Sequence, residues 1–187
     1  MSIAEFHARG MLPAITQAAI RTTVEDVLDS NCRELFEYWD GLRGARPAPA
    51  WSEFHLEALS PRTIPYMRVV DVDLAASDIR YRYWGTGLVR VLGHDRTGQT
   101  LSGQSASRAA KALAEYMTVV EEKAPFALIY NTTTSKKAMP LFAPAIRLPL
   151  MNDGETVNNI VAYADFEADQ KKWGALLAKR LDEDLDA

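Results

Sequence analysis

The chain has 187 residues, of which 48% are hydrophobic and 25% charged, enough apolar material for one domain with a buried core. Its net charge of -4 and pI near 5.4 argue against non-specific nucleic-acid binding, which requires a basic surface. A single cysteine, Cys32, excludes an internal disulfide and suits a reducing compartment. The N-terminus carries Glu5 and His7 and has no long apolar run, so we predict neither a signal peptide nor a membrane span. We therefore expect a cytoplasmic protein.

An amphipathic helix is predicted between Pro13 and Leu42. Its apolar residues recur at steps of three and four, which is the spacing of one helix stripe. Asp29 or Ser30 can instead cap a second, shorter helix within this segment. The helix must end before residues 43–49, because two prolines and a glycine cannot continue it. The stripe consists of Val24, Val27, Leu28, Cys32, Leu35, Trp39 and Leu42.

Two strands and a turn predict a hairpin after this helix. Met67 to Val72 and Ile79 to Trp84 are rich in β-branched and aromatic residues, and the acidic segment 73–78 joins them. After Trp84 the chain breaks at glycine into one or two short helical turns and a polar loop bounded by glycine.

The second half of the chain predicts a helix, three strands and a last helix. Apolar residues line one face from Ser105 to Lys123, and Pro125 stops that helix. A tight turn, Asn152-Asp153-Gly154-Glu155, joins the last two strands. The predicted strands are Phe126 to Thr133, Leu141 to Leu150 and Val157 to Phe166, and the last helix is Ala168 to Leu185.

Residues 80–98 read RYRYWGTGLVRVLGHDRTG, which resembles the opening of a PAS domain. The likeness is greatest to small, stand-alone, mostly bacterial PAS proteins with the signature RYR..GT.LV...G.D.TG. The resemblance implies an α+β fold: a five-stranded antiparallel sheet with connecting helices on one face, plus amphipathic helices at both termini. We assign residues 1–50 to an N-terminal helical extension, 51–167 to the PAS-like domain and 168–187 to a C-terminal helix. The polar segment 131–137 departs from the family pattern.

The same resemblance implies a sensor or signalling protein that is not an enzyme. PAS domains hold a ligand between the sheet and the connecting helices, and the stand-alone members carry no attached effector domain. Homodimerisation through the N-terminal helix is also implied, with a signalling protein as a further partner. No cofactor can be named from the residues. The alternatives are a ligand-free dimerisation or interaction module and, less favoured, a small α+β enzyme.

The candidate ligand-binding residues come from strand alternation and from one helix face. Alternation places Arg80, Arg82 and Trp84 on one face of the second strand and Tyr81 and Tyr83 on the other. An inward Arg82 would suit a carboxylate or phosphate, whereas an outward one would pair with an acid such as Glu155 or Asp165. The candidates are Arg82, Trp84, Tyr81, Tyr83, Tyr116, Met117 and Tyr130.

Cofactor and metal chemistry have little support in the sequence. Asn31-Cys32-Arg33 resembles the core of the flavin-binding PAS motif, but it precedes the first predicted strand instead of following the second. His94 alone suggests an axial haem ligand, and a loop histidine beside Asp95 is the simpler interpretation. His7, His55 and His94 are too widely separated for a zinc site. No hydrolase triad, nucleophile elbow or phosphate loop is present in the sequence.

Overall fold

A mixed arrangement of strands and helices forms one antiparallel sheet with helical layers on both faces. The computed structural model describes residues 18–104, 106–134 and 137–185. The strands are β1 Ala18–Thr22, β2 Met67–Asp73, β3 Asp78–Trp84, β4 Phe126–Thr134, β5 Lys137–Leu150 and β6 Asn159–Ala164. Their order in the sheet is β1-β4-β5-β6-β2-β3, and every neighbouring pair is antiparallel.

The helices divide into two layers. The helices are α1 Val24–Val27, α2 Cys32–Arg43, α3 Thr86–Leu92, α4 Ala106–Glu122 and α5 Gln170–Leu185. The elements α1, α2 and α5 pack on one side of the sheet, which we name the outer face, and α4 packs against β3, β4 and β5 on the other side, the inner face. Three 3₁₀ turns lie in the connection before β2, the last of them Ile64–Tyr66.

The predicted α+β fold is confirmed, and the sheet has one strand more than predicted. The strands β2 to β6 are the five predicted ones, within a few residues at each end. The prediction of five strands was wrong because β1 pairs with the far edge of β4. The five residues of β1 carry no alternating pattern of their own, and their partner lies more than a hundred positions away.

The prediction of a helix between Pro13 and Leu42 was wrong for Ala18–Thr22, which form β1, and residues 13–17 lie outside the described part of the chain. The rest of the segment is two helices, as the alternative interpretation of the sequence allowed. The break falls after Val27, where the Ser30 hydroxyl accepts a hydrogen bond from the Cys32 N–H at 3.1 Å. Residues 1–17, including His7, and residues 105, 135, 136, 186 and 187 lie outside the described part of the chain. The division into segments 1–50, 51–167 and 168–187 stays a prediction.

The outer face is a buried layer formed mainly by apolar side chains. Cys32, Leu35 and Trp39 of α2 are each at most 1% exposed, and the Trp39 indole N–H donates to the Pro149 carbonyl at 2.7 Å. Trp173 of α5 lies in a second apolar cluster with strand residues of β1 and β4. The apolar stripe of the N-terminal helix is therefore covered by its own sheet. Homodimerisation through that helix stays a prediction and concerns its solvent-facing side.

Candidate functional site

A β-bulge decides which side chains of β3 point inward. Val69 pairs with Tyr83 and Val70 with Tyr81, so Arg82 is an extra residue between two pairs. The bulge breaks the strict alternation, and both Tyr81 and Trp84 are buried, at 4% and 5% exposure. The prediction that Trp84 shares a face with Arg80 and Arg82 was therefore wrong. A bulge adds one residue to the count and leaves no mark in the local sequence pattern.

Arg82 lies at the surface and has an acidic partner. Its Nε donates to the Asp71 carboxylate at 2.7 Å, and its guanidinium carbon is 5.5 Å from the centre of the Trp51 ring. The prediction that an outward Arg82 pairs with an acid is therefore right, but the partner is Asp71 and not Glu155 or Asp165.

Two other arginines lie inside the protein, on the inner face. Strand register places Arg147 of β5 opposite Ala162 of β6, and Ala162 opposite Arg68 of β2. Trp84 of β3 continues this row beside Arg68. Arg147 is 2% exposed and Arg68 is 8% exposed. Because neighbouring strands lie about 4.8 Å apart, the two arginine backbones are about 10 Å apart with one alanine between them.

Arg147 contacts α4 and β4. Its Nη2 donates to the Glu115 carboxylate and, at 2.6 Å, to the Tyr130 hydroxyl. The Tyr130 hydroxyl in turn donates to Glu115 at 3.3 Å. The guanidinium carbon lies 4.4 Å from the centre of the Tyr116 ring, a cation–π distance. Arg147 therefore connects strand β5 to two adjacent residues of α4, Glu115 and Tyr116.

Arg68 has aromatic neighbours and no carboxylate partner among the described residues. Its guanidinium carbon is 5.7 Å from the ring centres of both Trp84 and Tyr130. The Tyr81 ring meets the Trp84 ring edge-on at 5.0 Å. We name Arg68, Arg147, Tyr81, Trp84, Tyr116 and Tyr130 together the arginine cluster.

Several polar atoms of the arginine cluster are buried and have no hydrogen-bond partner within the part of the chain that the structure describes. They belong to Arg68, Arg147, Trp84 and Tyr116. Buried polar groups are nearly always paired, and each one left unpaired costs about 1–3 kcal/mol. The five atoms are Arg68 Nε, Arg147 Nε and Nη1, Trp84 Nε1 and the Tyr116 hydroxyl. Such a concentration in one place is typical of a binding site.

The electrostatics of the cluster keep the two arginines charged and the phenols of Tyr81 and Tyr130 neutral. Burial raises the pKa of Tyr130 to about 12, against the lowering effect of Arg147. Burial also raises the pKa of Tyr81 above its usual range. For Arg147, burial acts to lower the pKa, but Tyr130 and Glu115 outweigh it and the pKa is raised. The cluster is therefore cationic at neutral pH.

The structure brings together four of the seven predicted ligand-binding residues. Tyr81, Trp84, Tyr116 and Tyr130 all belong to the arginine cluster. Met117 is partly buried and packs against the core on α4. The other two lie elsewhere: Arg82 is at the surface, and the Tyr83 hydroxyl donates to the Ile64 carbonyl at 3.2 Å.

Sequence reasoning missed the two buried arginines and Glu115. Arg68 stands in the run Met67-Arg68-Val69-Val70, and Arg147 stands between Ile146 and Leu148. A lone charge inside an apolar strand is rare, since charged residues are seldom fully buried without a partner. That signal was available in each strand separately. Only the pairing of β5, β6 and β2 shows that the two arginines are neighbours.

The glycines of the GTG motif after Trp84 have a packing role. A methyl group on Gly85 would lie 2.2 Å from the Pro65 carbonyl oxygen, and one on Gly87 would lie 2.7 Å from Tyr66 Cε1. The start of α3 therefore packs directly on the backbone of the last 3₁₀ turn. This close approach explains why the motif contains glycine at these two positions.

The remaining cofactor candidates lie in different surroundings. Cys32 is on the outer face, where burial raises the pKa of its thiol to about 12, and its Sγ donates to the Pro144 carbonyl at 3.6 Å. The His94 ring lies 5.9 Å from the Trp84 ring, so His94 borders the arginine cluster and is not an isolated loop residue. Within the described residues, no three His, Cys, Asp or Glu side chains form a metal-binding group.

Comparison with known proteins identifies the family. A family model described as a PAS domain matches residues 27–163, which is more than half of the chain. The chain belongs to the PAS domain family. No curated protein and no solved structure gives a significant match.

Membership places this PAS domain among sensory or signalling-type modules, which are typically not catalytic. The match begins in α1 and ends in β6, so it includes both strands that carry the buried arginines. None of the helices that the structure describes is long and apolar enough to cross a membrane.

Proposed function

We propose that this PAS domain is a sensor that binds a small molecule on the inner face of its sheet, at the arginine cluster. The observation that supports this proposal is the group of five buried polar atoms, from four residues of that cluster, that have no hydrogen-bond partner in the described ranges 18–104, 106–134 and 137–185. A guest with matching polar atoms would remove their desolvation cost, and that gain would add to its affinity.

A pure interaction module would use the same fold differently. Its core would be filled by its own side chains, and the buried polar groups would pair with one another. The outer face is closer to that description: the buried Trp39 indole has a partner, and Arg180 Nε is the one unpaired buried side-chain atom among the described residues of its helices. The inner face does not, because Arg68, Trp84 and Tyr116 each have a buried polar atom that makes no hydrogen bond to any described residue. The contrast favours ligand binding over a purely structural core.

Helix α4 is the element through which we expect binding to be relayed. Glu115 and Tyr116 are adjacent residues of this helix, and both contact Arg147. A guest that draws the Arg147 guanidinium toward itself would weaken one of these contacts or strengthen the other. The docking of α4 would then shift between two packings, with ligand selecting one of them. The exposed side of α4 is the proposed output surface.

The first experiment compares the native and the denatured mass of the purified protein. We expect the native mass to exceed the denatured mass by that of a retained small molecule, and Arg68→Gln to reduce the retained fraction. Arg80→Gln is the matched control, because Arg80 is on the same strand as Trp84 and points to solvent. Equal native and denatured masses, together with no stabilisation by any compound of a metabolite library, would contradict the proposal.

The resemblance adds two further proposals, a cytoplasmic location and a homodimer formed through the N-terminal helix. The same native spectrum reports the oligomeric state. A dimer would be expected to use the exposed side of α2, on which Arg33 and Glu37 lie. A monomer at every protein concentration would contradict the dimer and leave ligand binding untouched.

A further inference from the structure

We propose that the guest is a small organic oxyanion, a carboxylate or a phosphate, held between Arg68 and Arg147 above Ala162. The inference rests on the proposed function, since it names the chemistry of the ligand at the same site. It follows from three independent properties of the arginine cluster: its charge, its hydrogen-bonding inventory and its position on the sheet.

The charge of the cluster is incompletely balanced. Arg68 and Arg147 are two buried cations, and Glu115 is the one carboxylate that contacts either of them within the described residues. One positive charge therefore remains, and it belongs to Arg68. Buried charge without a partner is costly, so an anion at this point is strongly favoured.

The unpaired atoms are almost all hydrogen-bond donors. Arginine nitrogens and the indole nitrogen of tryptophan carry N–H groups and cannot accept a hydrogen bond. Four of the five unpaired atoms are of this kind, and the Tyr116 hydroxyl can act either way. A guest that satisfies them must present acceptors, and carboxylate and phosphate oxygens present several in a small space. A guest rich in donors would leave the site as unsatisfied as before.

The position of the arginines suits one shared anion. They lie on either side of Ala162, in a row across β5, β6 and β2. The only side chain between them in this row is the methyl group of Ala162. Both guanidinium carbons lie within 6 Å of the Tyr130 ring centre, so the two side chains converge toward one region. The neighbouring inward residues are also small, namely Ala143, Ala145 and Ala164, all buried.

The aromatic members of the cluster define the rest of the guest. Tyr81, Trp84, Tyr116 and Tyr130 present flat rings beside the cationic groups. A planar organic body would pack on these rings while its oxyanion meets the arginines. An aromatic carboxylate is therefore the best simple probe.

The test is a thermal-shift and calorimetric titration with four sodium salts at matched ionic strength: benzoate, acetate, succinate and phosphate. Benzamide serves as the uncharged analogue of benzoate. We expect at least one anion to bind saturably and benzamide not to bind. Arg68→Gln should weaken anion binding on the order of tenfold or more, because it removes charge-assisted hydrogen bonds. The surface control Arg80→Gln should change the affinity by less than about twofold.

Trp84→Phe provides a second variant should Arg68→Gln fail to fold. It keeps an aromatic ring and removes one unpaired donor, so it should also weaken anion binding. Equal responses of Arg68→Gln and Arg80→Gln, binding of benzamide as tight as that of benzoate, or no binding of any of the four anions would overturn the inference. A neutral molecule retained in the native mass measurement would contradict the inference that the guest is an anion, but it would agree with the proposed sensor function. Absence of any guest in both experiments would overturn both.

Discussion

The two faces of the sheet differ in the hydrogen bonding of their buried tryptophan indoles. On the outer face, the Trp39 indole is 1% exposed and donates to the Pro149 carbonyl. On the inner face, Trp84 is 5% exposed and its indole N–H has no partner among the described residues. Both rings are buried in the same apolar core cluster, yet only one has its hydrogen bond satisfied.

This difference separates stability from binding within one sheet. A face whose polar groups are satisfied contributes its full burial to folding, about 25 cal/mol for each Å² of apolar surface. A face with unpaired donors gives up part of that stability. Natural proteins keep such local costs mainly at functional sites. We therefore expect substitutions on the outer face to act on folding and matched substitutions on the inner face to act on ligand binding.

The largest effect is expected from Trp39→Ala. Removing this fully buried ring leaves a cavity under α2 and should lower the free energy of unfolding by about 3–5 kcal/mol, as measured by urea denaturation. Trp51→Ala is the control, since Trp51 is only partly buried. An equal loss in the free energy of unfolding for Trp39→Ala and Trp51→Ala would contradict the stabilising role that we assign to the outer face.

An intermediate effect is expected from one substitution made on each face. Trp39→Phe and Trp84→Phe remove the same atoms from buried rings, but only the first leaves a buried carbonyl, that of Pro149, without its donor. Trp39→Phe should therefore cost about 1–3 kcal/mol more in the free energy of unfolding of the ligand-free protein. Equal losses, or a larger loss for Trp84→Phe, would show that the Trp84 N–H has a partner after all.

A smaller effect is expected from the ion pair that holds α5 to α1. Partial burial acts to raise the pKa of Asp26. Hydrogen bonds from Thr22, Arg180 and the Thr23 N–H outweigh that effect and lower the pKa to about 2. Because the folded pKa lies below the unfolded value, this stabilisation is present above about pH 4 and lost as the pH falls toward 2. We expect Asp26→Asn to remove about 1 kcal/mol of pH-dependent stability, after allowance for solvent screening.

Urea denaturation at several values between pH 5 and pH 2 measures this contribution. The wild-type free energy of unfolding should fall more steeply with acid than that of Asp26→Asn. Asp29→Asn is the control, because Asp29 pairs with Lys172 of α5 but is largely exposed. Parallel pH profiles for wild type and Asp26→Asn would show that the ion pair between Asp26 and Arg180 does not stabilise the folded protein.

The sequence predicts the parts of this fold whose signals are local. The helix α4 and the strands β2 to β6 have periodic apolar patterns over many residues, and the turn at Gly154 is defined by its neighbours. The strand β1 has no such pattern, because its place depends on the free edge of β4. Local patterns thus specify the five central strands but not the added edge strand.

The candidate site was predictable in its aromatic half only. Tyr116 and Tyr130 follow from the helix face and from strand alternation. The inward direction of Trp84 depends on the bulge at Arg82, which arises from pairing with β2. The proximity of Arg68 to Arg147 depends on the register of β2, β6 and β5, which are not all neighbours in sequence. Such non-local pairing is set by the whole sheet and not by either strand alone.

The most direct test of ligand binding on the inner face is a two-dimensional ¹H–¹⁵N NMR titration that follows the indole N–H signals. The chain has four tryptophans, and the spectra of Trp84→Phe and Trp39→Phe identify the two signals that matter. With the tightest-binding of the four anions, we predict a large, saturable shift of the Trp84 signal and almost none of the Trp39 signal. A larger shift of Trp39, or a Trp84 signal that stays in place, would contradict a ligand site on the inner face.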